Sequence, residues 1–90
     1  MRQVMQRTRF RRDFKRQRRR GRDMEKLIAI VRVLARDGVL PRRLRPHKLS
    51  GDWGSVWECH IEPDWLLIYD VTDEAVLLIR TGTHAALFRK

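Results

Sequence analysis

The 90-residue sequence lacks the features that mark disulfide-stabilised, secreted or membrane-spanning proteins. Its single cysteine, Cys59, excludes an internal disulfide and lies in an apolar stretch, which favours a structural thiol over a nucleophile. No run of 18 apolar residues is present, and residues 1–22 are too charged for the apolar segment of a signal peptide. These absences predict a soluble, cytoplasmic protein with no membrane partner.

Acidic residues are scarce in the first half of the chain. Residues 1–48 contain 18 Lys and Arg against four Asp and Glu, a balance of +14, whereas residues 49–90 contain three against seven, a balance of −4. The formal net charge is +10. Such a basic half favours a polyanion, because neutralising phosphates releases condensed counterions. Nucleic acid is the favoured partner, and an anionic membrane or an acidic protein would match the same charge.

The apolar content is sufficient for one compact core. Hydrophobic residues make up 42% of the chain, with three Trp and three Phe, and a second domain would have too little apolar surface to be stable alone. The sequence therefore predicts a single globular domain over residues 1–90.

The first half predicts a strand and two helices. Residues 2–7 suit a short strand, and Thr8 is a candidate N-cap for a helix that runs to Arg20 and ends at Gly21. Asp23 is a candidate cap for a second helix, which Gly38 ends. Its apolar residues recur at helical spacing and predict a face packed on a sheet: Met24, Leu27, Ile28, Val31, Leu34 and Ala35.

The second half predicts an antiparallel meander. Turn signals at 50–52, 63–64 and 72–74 separate β-rich runs at 56–61, 65–71 and 75–81. The run 66–69 is apolar on both faces, as expected of a central strand with helices on one side. The predicted fold is α+β, in the order β-α-α-β-β-β, with an antiparallel sheet and the N-terminal helical hairpin on one face.

Candidate catalytic side chains concentrate in or beside the β-rich half: His47, His60, Asp64, Arg80 and His84. RNA cleavage needs a base for the 2′-hydroxyl, an acid for the 5′-oxygen leaving group and positive charge at the phosphate. Histidine suits the first two roles because its ordinary pKa lies near neutrality, and arginine offers phosphate a planar fork of donors. Trp65 and Phe88 are candidates for stacking on bases.

These residues alone leave alternatives open. A histidine is more often structural than catalytic, and three histidines with an aspartate could also ligate zinc, although none has the short spacing of a zinc motif. A nucleic-acid-binding module without catalytic activity would explain the basic charge, but it would not explain why His, Asp and Arg residues are clustered in the second half of the chain.

Several segments of the second half carry a family resemblance: His47-Lys48-Leu49, Glu58-Cys59-His60-Ile61, Pro63-Asp64-Trp65-Leu66-Leu67-Ile68-Tyr69 and Arg80-Thr81-Gly82-Thr83-His84-Ala85-Ala86-Leu87-Phe88. The chain resembles the YafQ-like toxins of the RelE superfamily, with a looser match in the helical hairpin. One departure is Trp57, which stands where related toxins often carry a basic residue.

The spacing of the histidines argues against a metal site, and we expect no cofactor. The resemblance implies a toxin that enters the ribosomal A site and cleaves messenger RNA there, until a cognate antitoxin binds the monomeric toxin unit. It implies an acid–base group of His47, His60, Asp64 and His84, with Arg80 on the phosphate. We expect His84 to be the general acid, with His60 and Asp64 on the base side. The predicted substrate-binding residues are Trp65, Phe88, Lys48, Arg16 and Arg19.

The first helix is richer in arginine than the family requires, and we expect its arginines to dock on ribosomal RNA. Another function remains open on the same fold, since some superfamily relatives poison DNA gyrase by protein contact. The histidine set argues against that alternative.

Overall fold

A computed structural model describes residues 1–51, 54 and 56–88. The elements are β1 (Gln3–Gln6), α1 (Thr8–Arg19), α2 (Met24–Asp37), a 3-10 turn (Arg42–Leu44), β2 (His47–Lys48), β3 (Trp57–Glu62), β4 (Trp65–Val71), β5 (Ala75–Gly82) and α3 (His84–Leu87). The strands form one sheet in the order β1-β5-β4-β3-β2. The predicted α+β fold with an N-terminal helical hairpin is confirmed, and β2 and α3 are additions to it.

The first strand pairs differently from the predicted antiparallel arrangement. β1 runs parallel to β5, with Gln3 opposite Ala75 and Gln6 opposite Leu78, so the sheet is mixed. Parallel strands need a long crossover rather than a hairpin, and here most of the chain separates the two. The antiparallel meander of β3, β4 and β5 is as predicted.

Helix α1 turns a narrow stripe toward the sheet. Phe10, Asp13 and Gln17 are buried, and Phe14 packs beside Phe10 with ring centroids 6.1 Å apart. The prediction of Thr8 as N-cap is wrong: Thr8 is the first helical residue, and Arg7 precedes it in extended geometry without a side-chain cap.

Helix α2 begins and ends as its sequence predicts. The Asp23 side chain accepts a hydrogen bond from the Glu25 backbone N–H at 3.2 Å, and Gly38 ends the helix with φ of 76°, a conformation that glycine adopts without strain. Leu27, Leu34 and Ala35 are buried. With α1 they cover one face of the sheet, which we call the helix face.

The opposite face, called here the open face, has a smaller covering. Leu66 and Ile68 of β4 pack there with Leu87 of α3, whereas Leu67 and Tyr69 join the larger core under the helices. β4 is therefore buried on both faces, as expected of a central strand. A β-bulge lies near the turn at 63–64, and the turn predicted at 50–52 lies partly outside the described residues. None of the described helices is long and apolar enough to cross a membrane.

Candidate active site

Three histidines form a row on the open face. His47 lies on β2, His60 on β3 and His84 at the first position of α3. The ring centroids of His47 and His60 are 6.5 Å apart, and those of His60 and His84 are 5.9 Å apart. We call these three residues the histidine row. Phe88 extends it, with its ring 6.1 Å from that of His84.

The sheet register explains why the row lies on this face. His47 is opposite Glu58 across β2 and β3, and His60 is opposite Leu66 across β3 and β4. Residues opposite each other share a face, and side chains two apart on a strand do so as well. Glu58 and His60 therefore lie on the open face together with Leu66.

A buried carboxylate lies between the first two histidines. The Oε1 atom of Glu58 is 3.1 Å from Nε2 of His47 and 3.9 Å from Nε2 of His60, and the side chain is 5% exposed. The backbone oxygens of Arg45 and Pro63 lie near the Nδ1 atoms of His47 and His60, at 3.1 and 3.4 Å. Sequence reasoning missed Glu58, although its position two residues before His60 on a strand was a usable signal.

A second carboxylate orients the third histidine. Oδ1 of Asp64 accepts the backbone N–H of His84 at 3.0 Å and lies 3.1 Å from Nδ1 of its ring. The sequence-based expectation places Asp64 on the base side with His60, whereas the structure pairs its side chain with His84. The turn directs Asp64 toward the start of α3, where it meets His84.

These contacts hold the pKa of Asp64 below its ordinary value, first through the backbone hydrogen bond from His84 and then through the bond from its ring. Asp64 is therefore ionised at neutral pH, and as a carboxylate it can only accept the hydrogen bond, which Nδ1–H of His84 donates. With Nδ1 engaged, Nε2 is the ring nitrogen left for an external group.

Arg80 is fixed by an aspartate of the first helix. Its Nε and Nη2 atoms lie 2.6 and 3.2 Å from the two carboxylate oxygens of Asp13, and its side chain is 11% exposed. The remaining nitrogen, Nη1, carries two further N–H groups. Sequence reasoning did not find Asp13, because a single acidic residue among many arginines does not show whether its side chain points toward the sheet or toward solvent.

Trp65 does not fit the predicted role in stacking on bases. Its side chain is fully buried in the core under the helices, and its indole N–H donates to Oγ1 of Thr81 at 3.0 Å. The Arg22 guanidinium carbon lies 5.1 Å from the centre of the ring. Trp65 therefore supports the fold and has no face open to a nucleotide. Phe88, half-buried at the end of the histidine row, is the better placed aromatic residue.

Lys48 lies on the opposite face of β2 from His47. It pairs with Trp57, and its Nζ atom is 5.8 Å from the centre of that ring. Trp57 packs against the core under the helices. The structure thus does not bring Lys48 to the histidine row.

The remaining predicted substrate-binding residues, Arg16 and Arg19, are exposed on α1. All seven Arg and Lys residues of that helix face solvent: Arg9, Arg11, Arg12, Lys15, Arg16, Arg18 and Arg19. They form a dense basic surface on the side of α1 away from the sheet.

Cys59 has the properties of a structural thiol. It is buried in the core under the helices, and burial raises its pKa to about 12, with a smaller contribution from Glu58. A thiol in that state is a poor nucleophile at neutral pH. Within the described part of the chain, no group of three or more His, Cys, Asp or Glu side chains has the geometry to hold a metal ion.

Comparison with known proteins agrees with this fold. A family model described as "Bacterial toxin of type II toxin-antitoxin system, YafQ" matches residues 2–89. The mRNA interferase toxin YafQ of Escherichia coli K12 is 41% identical over 80 residues, which cover 88% of this chain and 87% of that protein. The chain therefore belongs to the YafQ family of bacterial toxins from type II toxin–antitoxin systems.

Solved structures give the same result. A crystal structure of YafQ from E. coli BL21(DE3) aligns with a TM-score of 0.91 at 37% identity, covering 98% of this chain and 99% of that one. An E. coli DinJ-YafQ complex aligns with a TM-score of 0.89 at 38% identity, with the same coverage. A metal-bound toxin from Helicobacter pylori aligns with a TM-score of 0.89 at 31% identity, covering 98% of this chain and 100% of that one.

Proposed function

We propose that this chain, acting as one toxin domain over residues 1–90, is a cytoplasmic, ribosome-dependent endoribonuclease that cleaves messenger RNA in the A site. The observation that carries the proposal is the histidine row, in which three imidazoles lie side by side with a carboxylate near each end. The related E. coli protein is named an mRNA interferase, and the fold is shared.

The chemistry that we propose is acid–base cleavage that uses no metal. A base removes the proton of the 2′-hydroxyl, the 2′-oxygen attacks phosphorus, and the 5′-oxygen leaves with a proton from an acid, giving a cyclic phosphate and a 5′-hydroxyl. Asp64 accepts a hydrogen bond from Nδ1–H of His84, so His84 can supply the leaving-group proton from Nε2. His60 and His47, beside Glu58, take the base side.

Positive charge and stacking complete the proposed site. Arg80, fixed by Asp13, presents Nη1 to the scissile phosphate as charge develops there. Phe88 stacks on a base next to the cleaved bond. The arginines of α1, Arg16 and Arg19 among them, dock the toxin on ribosomal RNA by pairing with its phosphates.

The proposal includes a cognate antitoxin as inhibitor of the monomeric toxin unit. An E. coli relative has been crystallised as the DinJ-YafQ complex, and the net charge of +10 favours an acidic partner. An acidic protein segment that covers the basic surface of α1 would compete with ribosomal RNA.

The test is induced expression of the wild type and of His84→Ala in a bacterial host, with growth curves and mapping of messenger RNA 5′ ends. We expect growth arrest and new in-frame cleavages for the wild type, and neither for the variant, because the leaving group then lacks its acid. Asp73→Asn, a substitution in the exposed turn between β4 and β5, is the control and should behave as the wild type. Arrest without cleavage, insensitive to His84→Ala, would contradict the proposal and favour gyrase poisoning or simple binding.

A further inference from the structure

Helix α1 carries its charges in an unusual arrangement. Its seven basic side chains face solvent, and its single acidic residue, Asp13, is turned inward and is 6% exposed. Burying a carboxylate is costly unless hydrogen bonds compensate for the water that it gives up. The groups that donate hydrogen bonds to the Asp13 carboxylate, and so offset the cost of burying it, therefore indicate what the residue does.

Three hydrogen bonds to Asp13 come from two consecutive residues of β5. Its Oδ2 atom accepts from Nε of Arg80 at 2.6 Å and from the backbone N–H of Thr81 at 3.1 Å. Its Oδ1 atom accepts from Nη2 of Arg80 at 3.2 Å. One side chain of the basic helix thus fixes both the guanidinium plane and the backbone at the end of β5.

The same end of β5 leads directly into the histidine row. The Thr81 hydroxyl donates to the backbone oxygen of Leu66 at 2.7 Å, which ties β5 to β4. A Cβ added at Gly82 would come within 3.4 Å of the Leu87 side chain, so β5 passes close to α3 at this point. Thr83 caps α3 by accepting a hydrogen bond from the backbone N–H of Ala86 at 3.1 Å. His84 follows, three residues after the backbone N–H that Asp13 holds.

We propose that Asp13 is a positioning residue for RNA cleavage, an inference that rests on the proposed function. Its two bonds to Arg80 use Nε and Nη2, so they set the direction of Nη1, the nitrogen left for the scissile phosphate. Asp13 does not touch the RNA. It acts through Arg80, and it links the helix that docks on ribosomal RNA to the strand that carries the reaction.

The experiment measures cleavage of a defined messenger on purified ribosomes under single-turnover conditions, at increasing toxin concentration. We expect Asp13→Asn to lower the saturating rate by about 10- to 100-fold, as expected when a catalytic group is misplaced. The half-saturating concentration should stay within about twofold of the wild type, because the arginines of α1 still dock.

A double-mutant comparison separates positioning from a structural effect. In an Arg80→Ala background, Asp13→Asn should cause no further decrease in the saturating rate, because the group that it orients is gone. The same fold-decrease in both backgrounds would overturn the inference, and so would a wild-type rate for Asp13→Asn. Gln17→Ala is the matched control, since Gln17 is also buried on α1 but bonds to Arg22, and it should keep the wild-type rate.

If circular dichroism shows that Asp13→Asn does not fold, a second variant, Arg80→Lys, tests the inference instead. Arg80→Lys keeps the charge but cannot form the planar two-bond pair, so its saturating rate should fall by about tenfold or more. A wild-type rate for Arg80→Lys would overturn the inference. A wild type that cleaves no messenger at all would instead reject the proposed function itself.

Discussion

The two faces of the sheet differ in what they bury. The helix face packs apolar side chains under two helices. A polar side chain buried there has hydrogen-bond partners: the Thr81 hydroxyl accepts from the Trp65 indole and donates to the Leu66 backbone oxygen. The open face has a small apolar cluster around Leu66 and leaves ionisable side chains partly exposed, such as His84. The difference indicates that most of the apolar packing lies on the helix face, whereas the open face carries the ionisable groups to which the proposed function assigns proton transfer.

The largest effect expected of this difference is a contrast in stability between an aromatic side chain on the helix face and one on the open face. Trp65→Ala should lower the free energy of unfolding by about 3–5 kcal/mol, because the side chain is fully buried. His84→Ala, on the open face, should change it by less than about 0.5 kcal/mol. Urea unfolding followed by circular dichroism measures both.

Trp65→Phe is the matching functional control, because it keeps most of the buried volume. It should cleave messenger RNA at a rate close to that of the wild type, since Trp65 has no face open to RNA. A folded Trp65→Phe variant without cleavage would restore the role in base stacking that the sequence predicted.

The next effect concerns the outer surface of α1 and its C-terminal cap. Replacing Arg16, Arg18, Arg19 and Arg20 with Ala should weaken ribosome association and flatten its salt dependence, by a slope of up to about one for each phosphate that is no longer neutralised. Removing the same charge at Arg32, Arg36, Arg42 and Arg43 should have a smaller effect. Unchanged binding across salt for the first variant, or equal weakening for both, would reject a dedicated docking surface on α1.

A smaller change in stability is expected when the buried hydroxyl of Thr81 is removed from the core on the helix face. Thr81→Val keeps the shape of the side chain but removes the acceptor of the Trp65 indole N–H and the donor to the Leu66 backbone oxygen. We expect a decrease of about 1–3 kcal/mol in the free energy of unfolding, because buried polar groups are left without partners. A neutral substitution would show that water replaces the hydroxyl.

The smallest effect is a pH dependence on the open face. The pKa of Asp64 is lowered in the folded protein from its ordinary value of 3.8. The contribution of the Asp64 carboxylate to stability is therefore present above that pH and is lost as the pH falls through the lowered pKa. The stability difference between wild type and Asp64→Asn should therefore shrink as unfolding is measured from about pH 6 toward pH 2. Asp73→Asn serves as control, and a difference independent of pH would contradict the pairing of Asp64 with His84.

Sequence periodicity predicted the long elements well. The range 65–71 predicted for β4 matches its bounds, and α2 has the predicted cap and terminating glycine. β2 and α3 were missed because two and four residues are too few to show a period. The parallel pairing of β1 with β5 was missed because it joins distant parts of the chain, where no turn indicates direction.

The structure brings the three predicted histidines together, but sequence reasoning did not give the partners of the candidate site residues. The sequence predicts that Trp65 stacks on bases, because a strand that is apolar on both faces does not show on which side its aromatic residue is buried. The partners Glu58 and Asp13 were missed for a related reason. A carboxylate's role depends on which side chain from another element meets it, and that meeting exists only in the folded chain.

The most direct test of a single cleavage site on the open face compares four variants by single-turnover cleavage on ribosomes. They are His47→Ala, His60→Ala, His84→Ala and the triple substitution. If the histidine row acts as one unit, the triple variant should cleave about as slowly as the slowest single variant, because residues that act together are not additive. Rate decreases that multiply across the three positions, or single variants that all cleave at the wild-type rate, would contradict the account.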